Sequence, residues 1–167
     1  MEADIVYISW PELIRLTDDF IKKVTEKTYD SIMCIGSGGL VLGKLVSDQL
    51  SLPLSVISAK SYKKGETDKK DSDVLIGSIS TTFKIKGNIL LIDDLVDGGH
   101  TMKMVKEHLL KNKKLKEITT ATLFKKPISI FTPDYFVEEV NDWIVFPYEK
   151  NEFFKIKNIK INENKYK

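Results

Sequence analysis

Residues Asn88–Val105, NILLIDDLVDGGHTMKMV, constrain this chain more than any other stretch. Ile89-Leu90-Leu91-Ile92 is an apolar, β-rich run that reads as a buried strand. Asp93 and Asp94 follow it, and Asp97-Gly98-Gly99-His100-Thr101 then makes a tight turn. Beyond the turn, Met102, Val105, Leu109 and Leu110 recur at helical spacing. A strand that passes through a glycine-rich turn into a helix leaves unpaired backbone N–H groups at the helix start, where the helix dipole adds partial positive charge. Glycine lets an anion approach the backbone without a Cβ in the way, and Thr101 offers a hydroxyl. Asp93 and Asp94 repel phosphate but suit sugar hydroxyls or a hydrated Mg²⁺. The stretch therefore points to a site for a phosphorylated sugar. The competing reading is an ordinary strand–turn–helix in which the two acids end the strand and the glycines make a turn.

The rest of the chain repeats the same grammar. Val6–Trp10 reads as a short strand or extended arm, and Pro11 suits the first turn of a helix. In that helix Leu13, Ile14, Leu16, Phe20, Ile21 and Val24 form one apolar face, with Asp18 and Asp19 on the solvated side. Ser31–Ile35 is a short buried strand that ends in Gly36-Ser37-Gly38-Gly39, and an apolar helical pattern follows from Leu40 to Leu50. This is a second strand–glycine loop–helix unit and a second candidate anion site, although a lone GSGG turn is equally well structural. Leu54–Ser58 is the next strand. It leads through Lys60-Ser61-Tyr62 into the charged, aperiodic stretch Lys63–Asp73, a solvated loop of the kind that often serves as a lid. Val74–Ser80 and Thr81–Ile85 read as the return strand or strands. Glu117–Phe124 is a strand that ends at Lys125-Lys126-Pro127, Asp134–Glu138 a further short strand, and Asn141–Tyr148 a segment carrying Trp143. Lys150–Lys167 is a polar tail read as a docked arm, a contact between copies or a frayed end. Alternating strands and helices imply an α/β fold with a parallel, Rossmann-like sheet and helices on both faces, so that sites fall at the carboxyl ends of the strands.

The order apolar strand, two acids, two apolar residues, Asp, small residue, Gly, any residue, Thr in LIDDLVDGGHT resembles the PRPP-binding loop of type I phosphoribosyltransferases, and is most similar to that of the xanthine–guanine enzymes. The likeness runs from about Val6 to Tyr148. It implies a core of about five strands with a small hood built from residues of about 1–10, 60–85 and 140–167, all within one domain spanning the 167 residues. It implies transfer of phosphoribose from PRPP to N9 of a 6-oxopurine, with pyrophosphate and a nucleoside monophosphate as products and Mg²⁺ as cofactor. An adenine-specific enzyme and a non-catalytic PRPP or nucleotide sensor of the same fold are the alternatives.

The resemblance also assigns roles. Asp93, Asp94, Asp97, Gly98, Gly99, His100 and Thr101 would hold ribose 5-phosphate, with Asp93 and Asp94 also toward Mg²⁺ and Asp97 managing the proton at purine N7. Ser37, Gly38, Gly39 and Lys60 would receive pyrophosphate. Lys126, Trp143 and Ile144 would bind the purine, Lys126 through the 6-oxo group and Trp143 by stacking. Two positions depart from the family pattern: Gly98 stands where a Thr is usual, and Ser37 where an Arg is common.

Composition sets outer bounds. The length of 167 residues suits one domain with a proper core, and 42% hydrophobic with 30% charged residues is globular usage. A net charge of +2 gives no reason to expect nucleic acid, and no apolar run approaches the length of a membrane span. The N-terminus lacks a basic segment followed by an apolar one, so a cytoplasmic protein is expected. Arg15 is the only arginine, which leaves anion binding to lysines and backbone. The single Cys34 lies in an apolar run and reads as a small buried hydrophobe rather than a nucleophile. A homodimer or homotetramer is the assembly the resemblance implies.

Overall fold

A computed structural model describes residues 4–61 and 74–156. In chain order the elements are β1 (Ile5–Tyr7), α1 (Trp10–Val24), β2 (Ser31–Gly36), α2 (Gly39–Leu50), β3 (Leu54–Ser61), β4 (Val74–Ser80), β5 (Gly87–Val96), α3 (His100–Leu109), β6 (Leu115–Lys125), β7 (Tyr135–Glu139), β8 (Trp143–Val145) and α4 (Lys150–Ile156). They fall into two compact units, one of residues 17–140 and a smaller one that joins residues 1–16 to 141–167.

The larger unit is built on a six-stranded sheet in the order β4-β3-β2-β5-β6-β7. Five of its strands are parallel, and β4 adds antiparallel to β3 at one edge. The central strands β2 and β5 are almost wholly buried, as continuous apolar runs must be when both sheet faces are covered. Successive strand residues face opposite sides. Met33, with Ile89 and Leu91, joins the core made by Met102, Val105 and Leu109 of α3, whereas Cys34 lies under Gly43 of α2, where an added Cβ would come within 2.7 Å of its own. The two helices therefore cover opposite faces. Burial pushes the Cys34 thiol up to about 11, and the group stays an inert apolar filler.

Sheet order matters for function. From β2 the chain winds outward to β3 and β4 in one direction; from β5 it winds to β6 and β7 in the other. Such a reversal opens a crevice at the carboxyl ends of the two central strands, the usual ligand position in open α/β sheets. The loops leaving β2 and β5 are Gly36–Gly39 and Asp97–Thr101.

The smaller unit pairs the chain's two ends. β1 and β8 form a parallel pair with Ile5, Val6 and Tyr7 opposite Trp143, Ile144 and Val145. Ile8, Leu13, Leu16, Ile144, Val145, Phe146 and Phe153 are its buried side chains. Tyr7 meets Phe153 edge-on at 5.9 Å, so the start of the polar tail is a docked helix, α4.

Several expectations need correction. Thr81–Ile85 is not a strand: Thr81 Oγ1 donates to Phe83 O at 3.1 Å and accepts from Phe83 N–H at 3.2 Å, a local hydroxyl turn that competes with strand pairing. Ile14 and Leu110 keep helical spacing but are 43% and 61% exposed. The lid-like stretch Lys63–Asp73 lies outside the described residues.

A polar clamp joins β6 to the entry of β7. The Asp134 carboxylate accepts from Thr120 N–H at 2.7 Å and from Thr120 Oγ1 at 2.8 Å, and Asp134 N–H donates back to Thr120 Oγ1 at 3.0 Å. Burial pushes the Asp134 pKa up, but the Thr120 hydrogen bonds and the Lys106 ammonium outweigh it and hold the carboxyl below its ordinary value. A depressed folded-state pKa contributes stability that is fully present above the unfolded value, about 3.9, and is lost as pH falls through the folded one. The stability difference between the unmutated protein and Asp134→Asn should thus be constant from neutral pH to about 5 and shrink below about 4. Urea midpoints measured across that range check it; a difference that grows on acidification contradicts it.

Candidate active site

β5 does not stop before its carboxylates. It stays paired with β6 through Asp93↔Thr122, Leu95↔Phe124 and Val96↔Lys125. Asp93 and Asp94 are therefore consecutive strand residues, and both carboxylates come close to the Gly38–Gly39 loop. Asp93 lines a cavity of about 450 Å³ together with Asp97, Gly98, Gly99, His100 and Thr101, and with Ser61 at the end of β3. Asp94 is only 7% exposed and turns toward the other glycine loop. A Cβ on Gly38 would lie 2.8 Å from Asp94 Oδ2, and one on Gly39 2.9 Å from Ile92 O and 3.3 Å from Asp93 Oδ1. Those glycines are needed for closeness: the loop after β2 rests directly on the acidic end of β5. The two sequence motifs, 55 residues apart between Gly38 and Asp93, form one floor.

Both helices begin at this floor with bare N-termini. Gly99 is the N-cap of α3 and Gly38 that of α2, neither supplies a side-chain cap, and neither helix has an acid in its first turn. The first N–H groups of a helix have no intrahelical acceptor; at α2 Leu40 N–H is taken up by Ser37 O at 3.2 Å, and the remaining ones can meet an anion, with the dipole adding to their pull. Gly99 has φ of +85°, the left-handed region that glycine tolerates best. It turns the chain sharply enough that α3 starts at His100 and presents the N–H groups of His100 and Thr101 beside the Thr101 hydroxyl. Asp97 is exposed at the mouth of this loop. Ser37 is exposed beside α2, with the Gly36–Ser37 peptide cis. Lys60 is exposed on β3 opposite Leu75 of β4, and its neighbour Ser61 is the residue that reaches the cavity wall.

The paired lysines at the end of β6 have separate jobs. Lys125 is 7% exposed, 2.5 Å from Glu139 Oε2 and 5.7 Å from the Phe136 ring centre, which makes it a structural ion pair between β6 and β7. Lys126 comes after the strand, half-buried, and its N–H donates to Val96 O at 2.9 Å, immediately before Asp97. In the smaller unit Trp143 is 50% exposed, so it is not a core tryptophan. With buried Ile144, and with Glu149, Glu152 and Phe153, it lines a separate hollow of about 140 Å³.

One contribution escaped sequence reasoning. The turn Ser129–Phe131 packs under Gly99, and Ile130 N–H donates to Gly98 O at 3.1 Å. No local pattern marks these residues; only the need for glycine at position 99 hints that something lies close.

The arrangement can bind a phosphate at the start of α3, place carboxylates beside whatever that phosphate carries, and accept a second anion at the start of α2. The pattern of the phosphoribosyl transferase domain matches residues 7–150. Xanthine-guanine phosphoribosyltransferase of Idiomarina loihiensis is 31% identical over 147 residues, which is 86% of each chain. The crystal structure of a purine phosphoribosyltransferase from Pyrococcus horikoshii superposes with a TM-score of 0.74 at 34% identity, covering 87% of this chain and 93% of that one. Helicobacter pylori xanthine-guanine-hypoxanthine phosphoribosyltransferase, at 23% identity and a TM-score of 0.76 over 92% and 99% of the two chains, shares the fold.

Proposed function

Because the chain belongs to the phosphoribosyltransferase family, we propose that it transfers phosphoribose from PRPP to N9 of a 6-oxopurine, releasing pyrophosphate and a nucleoside 5′-monophosphate in purine salvage. The observation that carries this reading is the 450 Å³ cavity in which Asp93, Asp97 and the glycine loop at the start of α3 converge. Relatives named for xanthine and guanine, at about this level of identity over most of the chain, supply the substrate class.

Each role follows from chemistry. The N–H groups of the Asp97–Thr101 turn and the Thr101 hydroxyl hold the 5′-phosphate, with His100 on the rim. Asp93 and Asp94 serve the ribose hydroxyls, and their charge stabilises an oxocarbenium-like ribose as the bond to pyrophosphate breaks. Asp97 manages the proton at purine N7. Ser37, Gly38 and Gly39 receive the pyrophosphate at the start of α2, and Lys60 supplies charge where the family commonly has arginine. Lys126 is a donor with no acceptor capacity, so it favours a carbonyl at purine C6 over adenine's amino group. Trp143 offers its exposed face for stacking, and the backbone carbonyl of Ile144 reads the edge at position 2.

Mg²⁺ fits this donor set as a substrate-borne ion. No group of three or more His, Cys, Asp or Glu among the described residues could cage a metal alone, and Mg²⁺ is usually held by one or two carboxylates plus substrate phosphates, here Asp93 and Asp94. When bound it neutralises charge on the departing pyrophosphate. In this reading the chain works as one cytoplasmic phosphoribosyltransferase domain, assembled as a homodimer or homotetramer; much of the hood stretch expected from residue 60 to 85 lies outside the described residues. No helix among the described residues is long and apolar enough to cross a membrane.

Calorimetric titration with PRPP and Mg²⁺ tests the sugar-phosphate site. Thr101→Ala should weaken binding by roughly 1.5–3 kcal/mol, the worth of a hydrogen bond to a charged group, and Asp94→Asn should weaken it in a Mg²⁺-dependent way. Unchanged affinity in both variants would sink the assignment. Trp143→Ala should raise KM for the purine and spare PRPP affinity, with a melting change well below the about 3–5 kcal/mol of a buried tryptophan. A large melting loss with KM intact contradicts the stacking role.

A further inference from the structure

The phosphate loop is held by more than its own strand and helix. The turn after β6 clips onto it at two points. Lys126 N–H donates to Val96 O at 2.9 Å on one side of Asp97, and Ile130 N–H donates to Gly98 O at 3.1 Å on the other. The turn is itself closed by Ser129: its N–H donates to Lys126 O at 3.1 Å, while its Oγ donates to Phe131 O at 2.7 Å and accepts from Phe131 N–H at 3.2 Å. The same hydroxyl fills the space that a Cβ on Gly99 would take. Phe131 is in turn covered by Lys106 of α3, whose Nζ lies 5.8 Å from the ring centre. Turn, loop and α3 are thus one connected body, and Ser129 is absent from the cavity wall.

We infer that the Lys126–Phe131 turn is a spacer that sets the distance between the purine-reading lysine and the loop that holds the 5′-phosphate, with Ser129 as its positioning residue. This rests on the proposed roles of Lys126 and of the Asp97–Thr101 loop. The two ends of a nucleoside monophosphate are joined by a ribose of fixed span. Two subsites held at that span bind the second end as an intramolecular event, and a rigid spacer avoids the ordering cost. Misplacing either end by about 1 Å takes the reacting atoms out of attack distance. Backbone hydrogen bonds close residues 126–129 and clip the turn to the loop; the Ser129 hydroxyl adds the tie to Phe131 and the packing against Gly99 that fix how far the turn stands from the loop.

The test compares two ligands, ribose 5-phosphate and GMP, by calorimetry. Their affinity ratio is the increment contributed by the purine. In Ser129→Ala the increment should fall about five-fold, as expected for loss of one or two hydrogen bonds, while ribose 5-phosphate affinity stays within about two-fold. Asp30→Asn, which loosens the opposite end of β5, where Asp30 Oδ2 accepts from Asn88 N–H at 2.7 Å, should leave the increment unchanged. A purine increment present in the unmutated protein and equal in Ser129→Ala overturns the spacer alone. Equal loss of increment in Asp30→Asn at a matched drop in melting temperature also overturns it, as general loosening. An unmutated protein that binds GMP no more tightly than ribose 5-phosphate removes the purine-reading role of Lys126, and the spacer falls with it.

Discussion

Replacing Asp97 by Asn is expected to lower kcat by about 100-fold or more and to leave PRPP affinity within a few-fold. The substitution keeps the shape of the side chain and its capacity to accept a hydrogen bond, and removes the negative charge and with it the ability to take and return a proton. Asp97 suits this role by position. It is the first residue past β5, exposed at the mouth of the cavity, and the backbone on either side is pinned, Val96 O by Lys126 N–H and Gly98 O by Ile130 N–H. An acid–base group must be held still to act. Here the main chain does the holding, so the substituted amide should occupy the place of the carboxylate. Steady-state turnover with the best purine, together with a PRPP titration, separates the two effects. An unchanged kcat would remove Asp97 from the mechanism; a parallel loss of PRPP affinity would make it a binding residue instead.

The second large effect is expected at Gly99, and the contrast with Gly98 makes it specific. An alanine at 99 must adopt φ near +85° and would drive its Cβ into Ser129 Oγ and to 2.8 Å from Phe131 N. The hydroxyl could rotate away, but the backbone nitrogen could not. Left-handed strain and overpacking each cost of order 1–3 kcal/mol, so Gly99→Ala should lower Tm by roughly 6–12 °C for about 3 kcal/mol and weaken PRPP binding at least ten-fold. At Gly98 an added Cβ meets nothing nearer than His100 Cδ2 at 3.4 Å, an ordinary contact. Gly98→Ala should melt like the unmutated protein. Equal behaviour of the two variants in thermal melts and PRPP titrations would contradict the packing described for this loop.

What could be read from residues alone was whatever is written in short-range pattern. Ser31–Ile35 and Ile89–Ile92 are apolar runs next to glycine turns, and both are central strands carrying the two loops of the site. That these loops touch is a property of strand order: β2 and β5 are neighbours, with Cys34 opposite Ile92, although 50 residues intervene between Gly36 and Gly87. Strand ends were less legible for the same reason. Composition places the end of β5 at its first acid, but the ladder with β6 carries pairing through Asp93 to Val96, so both acids are strand residues. β1 overlaps the short strand expected from Val6 but ends at Tyr7, and the three-residue β8 is too short to show alternation and exists because it pairs with β1. Lys125 and Lys126 are indistinguishable as letters. A carboxylate at Glu139, supplied by a later strand, makes the first a buried structural ion and leaves the second at the mouth of the strand. The Ser129 clip has no local signal at all, because its partner is a glycine 30 residues earlier.

The most direct measurement of the central claim is turnover of isotope-labelled PRPP by the unmutated protein with Mg²⁺ and, separately, hypoxanthine, guanine, xanthine and adenine. The proposed roles, with Asp93, Asp97 and Thr101 around a phosphorylated ribose and Lys126 donating to purine C6, predict labelled nucleoside monophosphate from the 6-oxopurines and little or none from adenine. Efficient conversion of adenine alone would show that Lys126 does not read C6. No labelled nucleotide with any of the four bases would contradict the assignment of this site as a phosphoribosyl-transfer centre.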